Sequence, residues 1–461
     1  MTLLVVEVAQ VIPAADSFLN SANSVTIPLT FFDLPWLVFH PVKRVFFYRL
    51  TESTREHFHS FILPKLKLSL SLVLRNYIPL SSRITWDLNV PKPSIVVAQN
   101  DAVSMTVAET DSDFSRLSGY GQRPVSELHT LIPELPVSDD SATAFSLQVT
   151  LFPSQGFSIG FAAHAHHAVL DGKTASMFVK AWAHSCKQLL ENKAVSLPES
   201  LTPSLDRSTL LKDLSWLDEK MIEIVRSLKP DKANERRSLT PMPTRELGDD
   251  VVIVTVVLSR GDVERLREKV KSESNRPLLH LSTFVIAYAY AWTCCVKARG
   301  GNRDRAVSFL FLGDFRERLD PPLPATYFGN CVFPAVRYNR KAGDFAEERG
   351  FVTAVEILSG LVNGLSSRKI ETIAEEFAGG LGCLGERAQR GSVTGSTRLG
   401  FYETDFGWGK PVKTDVVSIG EGGGISMAER RDESGGLEMG MCLNKAETDL
   451  VLSIFNNGLQ N

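Results

Sequence analysis

His167-Ala-Val-Leu-Asp171-Gly172 sets an imidazole four residues before a carboxylate, with a glycine behind it that permits a sharp backbone turn. A neutral imidazole with a pKa of about 6.5 takes a proton from a hydroxyl near neutral pH and returns it to a leaving group. His167 is therefore the candidate general base. A carboxylate beside it could orient the ring, as in a Ser-His-Asp triad. Far downstream, Asp405-Phe-Gly-Trp-Gly409 places two glycines around a large indole, and Lys410-Pro411 stiffens its exit. The segment reads as a separate fixed loop, and the Trp408 indole N–H as a candidate donor for the oxyanion of a tetrahedral intermediate. The first motif alone is weak in a chain with nine histidines. The two together, in this order, are specific.

Neighbouring residues offer competing readings. The sequence runs His164-Ala-His166-His167, and strand alternation puts His164 and His166 on one face and His167 on the other. A metal reading of that pair would need further ligands that the sequence does not mark. Gly156-Phe-Ser158-Ile-Gly160 matches a serine-hydrolase elbow, which requires a strand before the serine and a helix after it. Here a turn precedes Ser158 and an apolar strand follows.

The elements that would hold these residues alternate between strand and helix. Phe145–Phe152 and Phe157–His166 are apolar runs joined by Pro153-Ser-Gln-Gly156, the pattern of a β-hairpin whose second strand delivers His167. Thr174 to Glu191 then carries Met177, Phe178, Ala181, Trp182 and Leu189 along an amphipathic helix. Upstream, residues 54 to 75 show helical spacing, with Ser53 as a cap and Pro64 kinking the helix or delaying its start. Val251–Leu258 predicts a strand, followed by a helix capped by Ser259. Thr283 to about Lys297 predicts a long apolar helix, and Val307–Leu312 a strand. Asp415–Ile419, Ile425–Ala428 and Leu437–Leu443 predict short strands before a closing helix. The fold class is α/β in both halves. Residues 1–191 form an N-terminal domain, 192–249 an interdomain crossover rich in Pro, Ser and charge, and 250–461 a C-terminal domain.

Composition excludes more than it assigns. With 461 residues and 43% apolar content the chain fills two cores, and a net charge of -3 without a Lys/Arg block argues against nucleic acid or an anionic membrane as partner. The opening Met1-Thr-Leu-Leu-Val-Val-Glu7 has no basic n-region, and no stretch reads as long enough to span a membrane, so the expected compartment is the cytosol and the expected state a monomer. Cysteines 186, 294, 295, 331, 383 and 442 lack CxxC spacing and read as reduced core residues.

With Ile27-Pro-Leu-Thr-Phe-Phe-Asp33, Asp314-Phe-Arg-Glu-Arg-Leu-Asp-Pro-Pro322 and Tyr327-Phe-Gly-Asn-Cys331 added to the two motifs, nearly the whole chain resembles the plant BAHD acyltransferases, in the branch acting on anthocyanin, flavonoid and other phenolic glucosides. That resemblance implies two similar mixed-sheet domains, chloramphenicol acetyltransferase-like, with a solvent channel between them. It implies acyl transfer from a coenzyme A thioester, malonyl-CoA being the usual donor of the branch, to a sugar hydroxyl of a small phenolic glucoside. It implies an acyl-CoA co-substrate and no permanently bound cofactor. It further implies that Asp171 ties its loop through an arginine rather than assisting the base, and that Asp405 is a structural anchor paired with an arginine such as Arg316. Ser282 and Thr283, at a helix start, become candidates for the phosphate or pantetheine of coenzyme A. Lys180 becomes the candidate cation for a malonyl carboxylate. Compared with the family, the stretch from Gly160 to His167 is two residues longer, and Gly379–Gly391 is unusually glycine-rich and lacks aromatic residues. The rival readings are a family member using another acyl-CoA and a non-catalytic binding protein on the same fold.

Overall fold

A computed structural model of the chain describes residues 2–14, 24–50, 54–87, 89–163, 168–213, 215–228, 238–242, 248–276, 279–380, 388–422, 424–432 and 434–460. The strand Phe145–Phe152 pairs antiparallel with Gly156–Ala163, Gly156 opposite Phe152, as the hairpin reading requires. All sixteen of their residues are buried, because the hairpin lies inside a six-stranded sheet. Its order is Leu3–Val11, Val103–Thr110, Phe145–Phe152, Gly156–Ala163, Val42–Arg49 and Lys413–Val416. The helix Gly172–Leu190 covers one face, where Phe178 stacks edge-on against Phe145 at 5.4 Å.

The second large sheet has seven strands, in the order Val332–Lys341, Ala306–Asp314, Gln389–Ser396, Ile425–Glu429, Leu437–Asn444, Val251–Leu258 and Arg123–Pro124. A smaller four-stranded sheet contains Ser24–Pro28. The chain is thus α/β with mixed sheets in two domains, but the halves exchange strands. Arg123–Pro124, early in the chain, closes the edge of the second sheet, and Lys413–Val416, late in the chain, closes the edge of the first. The exchanged strands are tied together: the Arg123 guanidinium donates to both oxygens of Asp415, at 2.5 and 3.2 Å, and both side chains are buried.

Local details follow side-chain chemistry. Pro64 does not delay the helix, which starts at Arg55: Arg55–His57 continues through a wide π turn, Phe58–Ile62, into the regular helix Leu63–Leu74, and the wide turn stands just before the proline that has no N–H to donate. The cap upstream is Thr54, which accepts from His57 N, and the expected Ser53 lies outside the described residues. Ser259 forms a reciprocal capping box with Asp262. The helix Gly350–Ser367 is long and apolar enough to cross a membrane, contrary to the reading that no stretch is. Half of it is buried in the protein, with Phe351 against Tyr290 of the helix Thr283–Arg299, as in a core helix.

Candidate active site

The strand Gly156–Ala163 is paired on both sides and ends just before the histidines in sequence. Ser158 sits in mid-strand with its hydroxyl buried, which is no elbow. His164, Ala165, His166 and His167 lie outside the described residues, and the chain resumes at the buried Ala168-Val169-Leu170. Asp171 follows, fully buried, in an extended conformation that caps the helix Gly172–Leu190: its Oδ1 accepts from Thr174 N at 2.9 Å. Its Oδ2 accepts from Arg316 Nη1 at 2.7 Å and from Cys331 N at 3.1 Å. The following glycine is not needed for a turn, since Gly172 is the first helical residue; a Cβ there would come within 3.3 Å of Leu399.

Arg316 is 1% exposed, and its two terminal nitrogens serve one locus. Besides Asp171 it reaches Asp314 at 3.2 Å, Thr174 Oγ1 at 3.3 Å and the carbonyls of Tyr327 and Gly329 at 3.4 and 3.3 Å. Burial would strip its charge, but Asp171 and then Asp314 hold its pKa above even the ordinary arginine value. Asp171, the start of the helix and the Tyr327–Cys331 loop are thereby joined around one buried ion pair.

Asp405 does not share that arginine. Its carboxylate accepts from Gly407 N at 2.8 Å and Gly409 N at 2.9 Å and pairs with Lys187 at 3.2 Å. Burial would raise its pKa, but the Gly407 hydrogen bond and the Lys187 ammonium hold it below the ordinary value. Gly407 and Gly409 have φ of +106° and +101°, so both need glycine, and Gly407 also leaves room for Leu190. Phe406 packs edge-on to Trp182 at 4.8 Å and to Tyr48 at 5.6 Å. Lys187 lies sixteen residues along the helix from Asp171, about 24 Å at 1.5 Å per residue. The two motifs therefore sit toward opposite ends of one helix, which explains why Arg316 cannot serve both.

Trp408 is half-buried against Phe157, ring centroids 6.4 Å apart. Phe157 is at the start of its strand, about 20 Å from Ala163 at the other end at 3.3 Å per residue. Among the described residues the indole packs on Phe157. Lys180 is nine residues beyond Asp171, about 14 Å along the helix, and its ammonium is bound to Glu403 at 2.7 Å. Ser282 caps the seventeen-residue helix Thr283–Arg299, its hydroxyl accepting from Val285 N at 3.4 Å, and Thr283 is half-buried beside it.

A model of the transferase family matches residues 6–454. The chain is a member of the BAHD acyltransferase family. Among its relatives, phenolic glucoside malonyltransferase 2 of Arabidopsis thaliana is 68% identical over the full length of both chains. The malonyl-CoA:anthocyanidin 5-O-glucoside-6''-O-malonyltransferase of the same plant is 48% identical, covering 99% of this chain and 98% of its own. Among solved structures, vinorine synthase superposes with a TM-score of 0.67 at 19% identity over 98% of each chain, a likeness of fold. Two residues of this BAHD chain escaped the sequence reading. Asp33 closes the Thr-Phe-Phe-Asp segment, and Arg207 stands in the crossover; they form a second buried ion pair, at 2.7 Å. The segment's motif was visible, but nothing in the spacing of residues 33 and 207 could show that they meet.

Proposed function

We propose that this chain transfers malonyl from malonyl-CoA to a sugar hydroxyl of a phenolic or flavonoid glucoside, as a cytosolic monomer, with His167 as general base. The observation that carries the reading is full-length identity of 68% to a phenolic glucoside malonyltransferase. The joint at Asp171 supports it, because a base must be held in place to act, and a buried carboxylate bonded to Arg316, Thr174 and Cys331 can hold one.

In the proposed step the acceptor hydroxyl loses its proton to the imidazole as its oxygen attacks the thioester carbonyl. The tetrahedral intermediate collapses, the C–S bond breaks, and the imidazolium returns the proton to the coenzyme A thiolate. The acyl group passes directly from donor to acceptor through the channel expected between the domains. Coenzyme A is proposed to meet the helix N-terminus at Ser282 and Thr283, where the hydroxyls and the helix dipole favour a polar or anionic group. The choice of malonyl rests on the relatives rather than on Lys180, whose ammonium already has Glu403. The assay is turnover of a panel of phenolic glucosides with malonyl-, acetyl- and coumaroyl-CoA in competition. Preferential formation of the malonyl ester supports the reading; preferential use of another donor replaces malonyl, and turnover of none leaves a binding protein on the same fold.

A further inference from the structure

The Tyr327–Cys331 loop is gripped from two sides. On one, Gly329 O accepts from Thr174 Oγ1 at 2.9 Å and from Arg316, and Cys331 N donates to Asp171. On the other, Asn330 N donates to Asp33 Oδ1 at 3.4 Å and the Asn330 amide donates to Phe32 O. Phe328 N donates to Ser204 O at 2.8 Å, and Ser204 N to Thr326 O at 2.9 Å, so the crossover is stitched to the same loop.

Asp33 is fully buried and filled with donors: Thr30 N at 2.8 Å, Thr30 Oγ1 at 2.9 Å and Arg207 Nη1 at 2.7 Å on one oxygen, Asn330 N on the other. Arg207, 5% exposed, also donates to Pro28 O, and its other terminal nitrogen lies beside Gly329, where a Cβ would come within 2.9 Å of it. Gly329 has a φ of +139° and carries the carbonyl that receives Thr174 and Arg316. The order in space is Arg207, Asp33, the loop, then Asp171 with Arg316.

We propose that Asp33 and Arg207 are positioning residues for acyl transfer: they fix the Tyr327–Cys331 loop, and through it the placement of Asp171 and the histidine loop. The proposal rests on the reading of His167 as the base. If Asp33 loses its charge, Arg207 is left buried without a counter-ion and turns from the loop, and Asn330 and Cys331 gain freedom to shift. A base displaced by about 1 Å loses on the order of a hundredfold in rate.

The test uses full-length Asp33→Asn, Asp33→Glu and Arg207→Lys beside the wild type. Three quantities are read: kcat and KM for malonyl-CoA with a phenolic glucoside, the melting temperature, and the labelling rate of each cysteine by N-ethylmaleimide, mapped by mass spectrometry. Cys331 lies in the gripped loop and is 0% exposed, whereas Cys294 and Cys295 are buried in the helix Thr283–Arg299 and serve as controls. Expected for Asp33→Asn are a kcat lower by about tenfold to a hundredfold with KM within about threefold, faster labelling of Cys331 alone, and partial recovery of kcat in Asp33→Glu. Arg207→Lys, which keeps the charge but loses the fork, gives the same signature and serves where Asp33→Asn fails to fold. Unchanged kcat, unchanged Cys331 labelling, or equal acceleration at all three cysteines would overturn the proposal. A wild type that transfers no acyl group would instead sink the functional reading, and Cys331 labelling would still decide whether Asp33 holds the loop.

Discussion

Replacing Arg316 by methionine removes the charge that Asp171 faces while keeping most of the side-chain volume. Asp171 would stay fully buried, retaining only the Thr174 and Cys331 N–H groups among the bonds described above, and Gly329 O would lose one of its donors. Removing one partner of a buried pair costs about 3–5 kcal/mol, most of it the cost of the charge left behind. Arg316→Met should therefore lower the denaturant midpoint, and the free energy of unfolding extrapolated to water should fall by about that amount. Turnover should fall at least a hundredfold, because the histidine loop loses its tie to the Tyr327–Cys331 loop. The double variant Asp171→Asn/Arg316→Met separates the two effects: with both charges gone, stability should recover most of the loss while turnover stays low. The assay is urea unfolding with kcat measured on the same preparations. A single variant as stable and active as the wild type, or a double variant that regains activity along with stability, would refute the argument that this pair positions the base.

Three further outcomes follow from the geometry. Asp405→Ala should cost about 1.5–3 kcal/mol for the lost bonds to Gly407 and Gly409, and Lys187→Ala only about 0–1 kcal/mol as half of an exposed pair; kcat per folded enzyme should stay within a few-fold, and a specific loss of kcat would move the loop into the chemistry. Lys180→Ala should change kcat/KM for malonyl-CoA and acetyl-CoA alike, whereas a malonyl-only loss of about tenfold would place its ammonium at the donor carboxylate. Asp415 is buried, and Arg123 and Lys413 overcome that burial to hold its pKa below the usual carboxylate value. Its stabilisation is present above the unfolded pKa of about 3.9 and is lost as pH falls through the lower folded value. Wild type should therefore lose more stability between pH 5 and pH 3 than Asp415→Asn does in urea unfolding; equal losses would contradict the pair's role.

Local grammar made much of this architecture legible. The hairpin around Pro153–Gly156, the strand Val251–Leu258 and the helix after Ser282 stand where period and capping residues put them, because each is decided by near neighbours in sequence. Non-local pairing was not legible. Arg123–Pro124 is too short to show a strand pattern, and its place beside Val251–Leu258 depends on residues more than a hundred positions away. The partner of Arg316 illustrates the same limit: Asp171 and Asp405 both carry a carboxylate in a fixed loop, and only the length of the helix between them decides which one the arginine can reach. The packing of Trp408 was not legible for a related reason. An indole between glycines has the same sequence signature whether its N–H serves chemistry or its ring fills a gap beside Phe157.

The most direct test of the central claim is single-turnover malonyl transfer by wild type and His167→Ala, with the malonylated glucoside detected by mass and coenzyme A affinity measured by calorimetry. The account predicts a malonyl ester from the wild type, a rate lower by about a hundredfold to ten-thousandfold in His167→Ala, and coenzyme A affinity unchanged within a few-fold. Wild-type rates in His167→Ala would contradict it, as would a wild type that binds malonyl-CoA and a phenolic glucoside yet forms no ester.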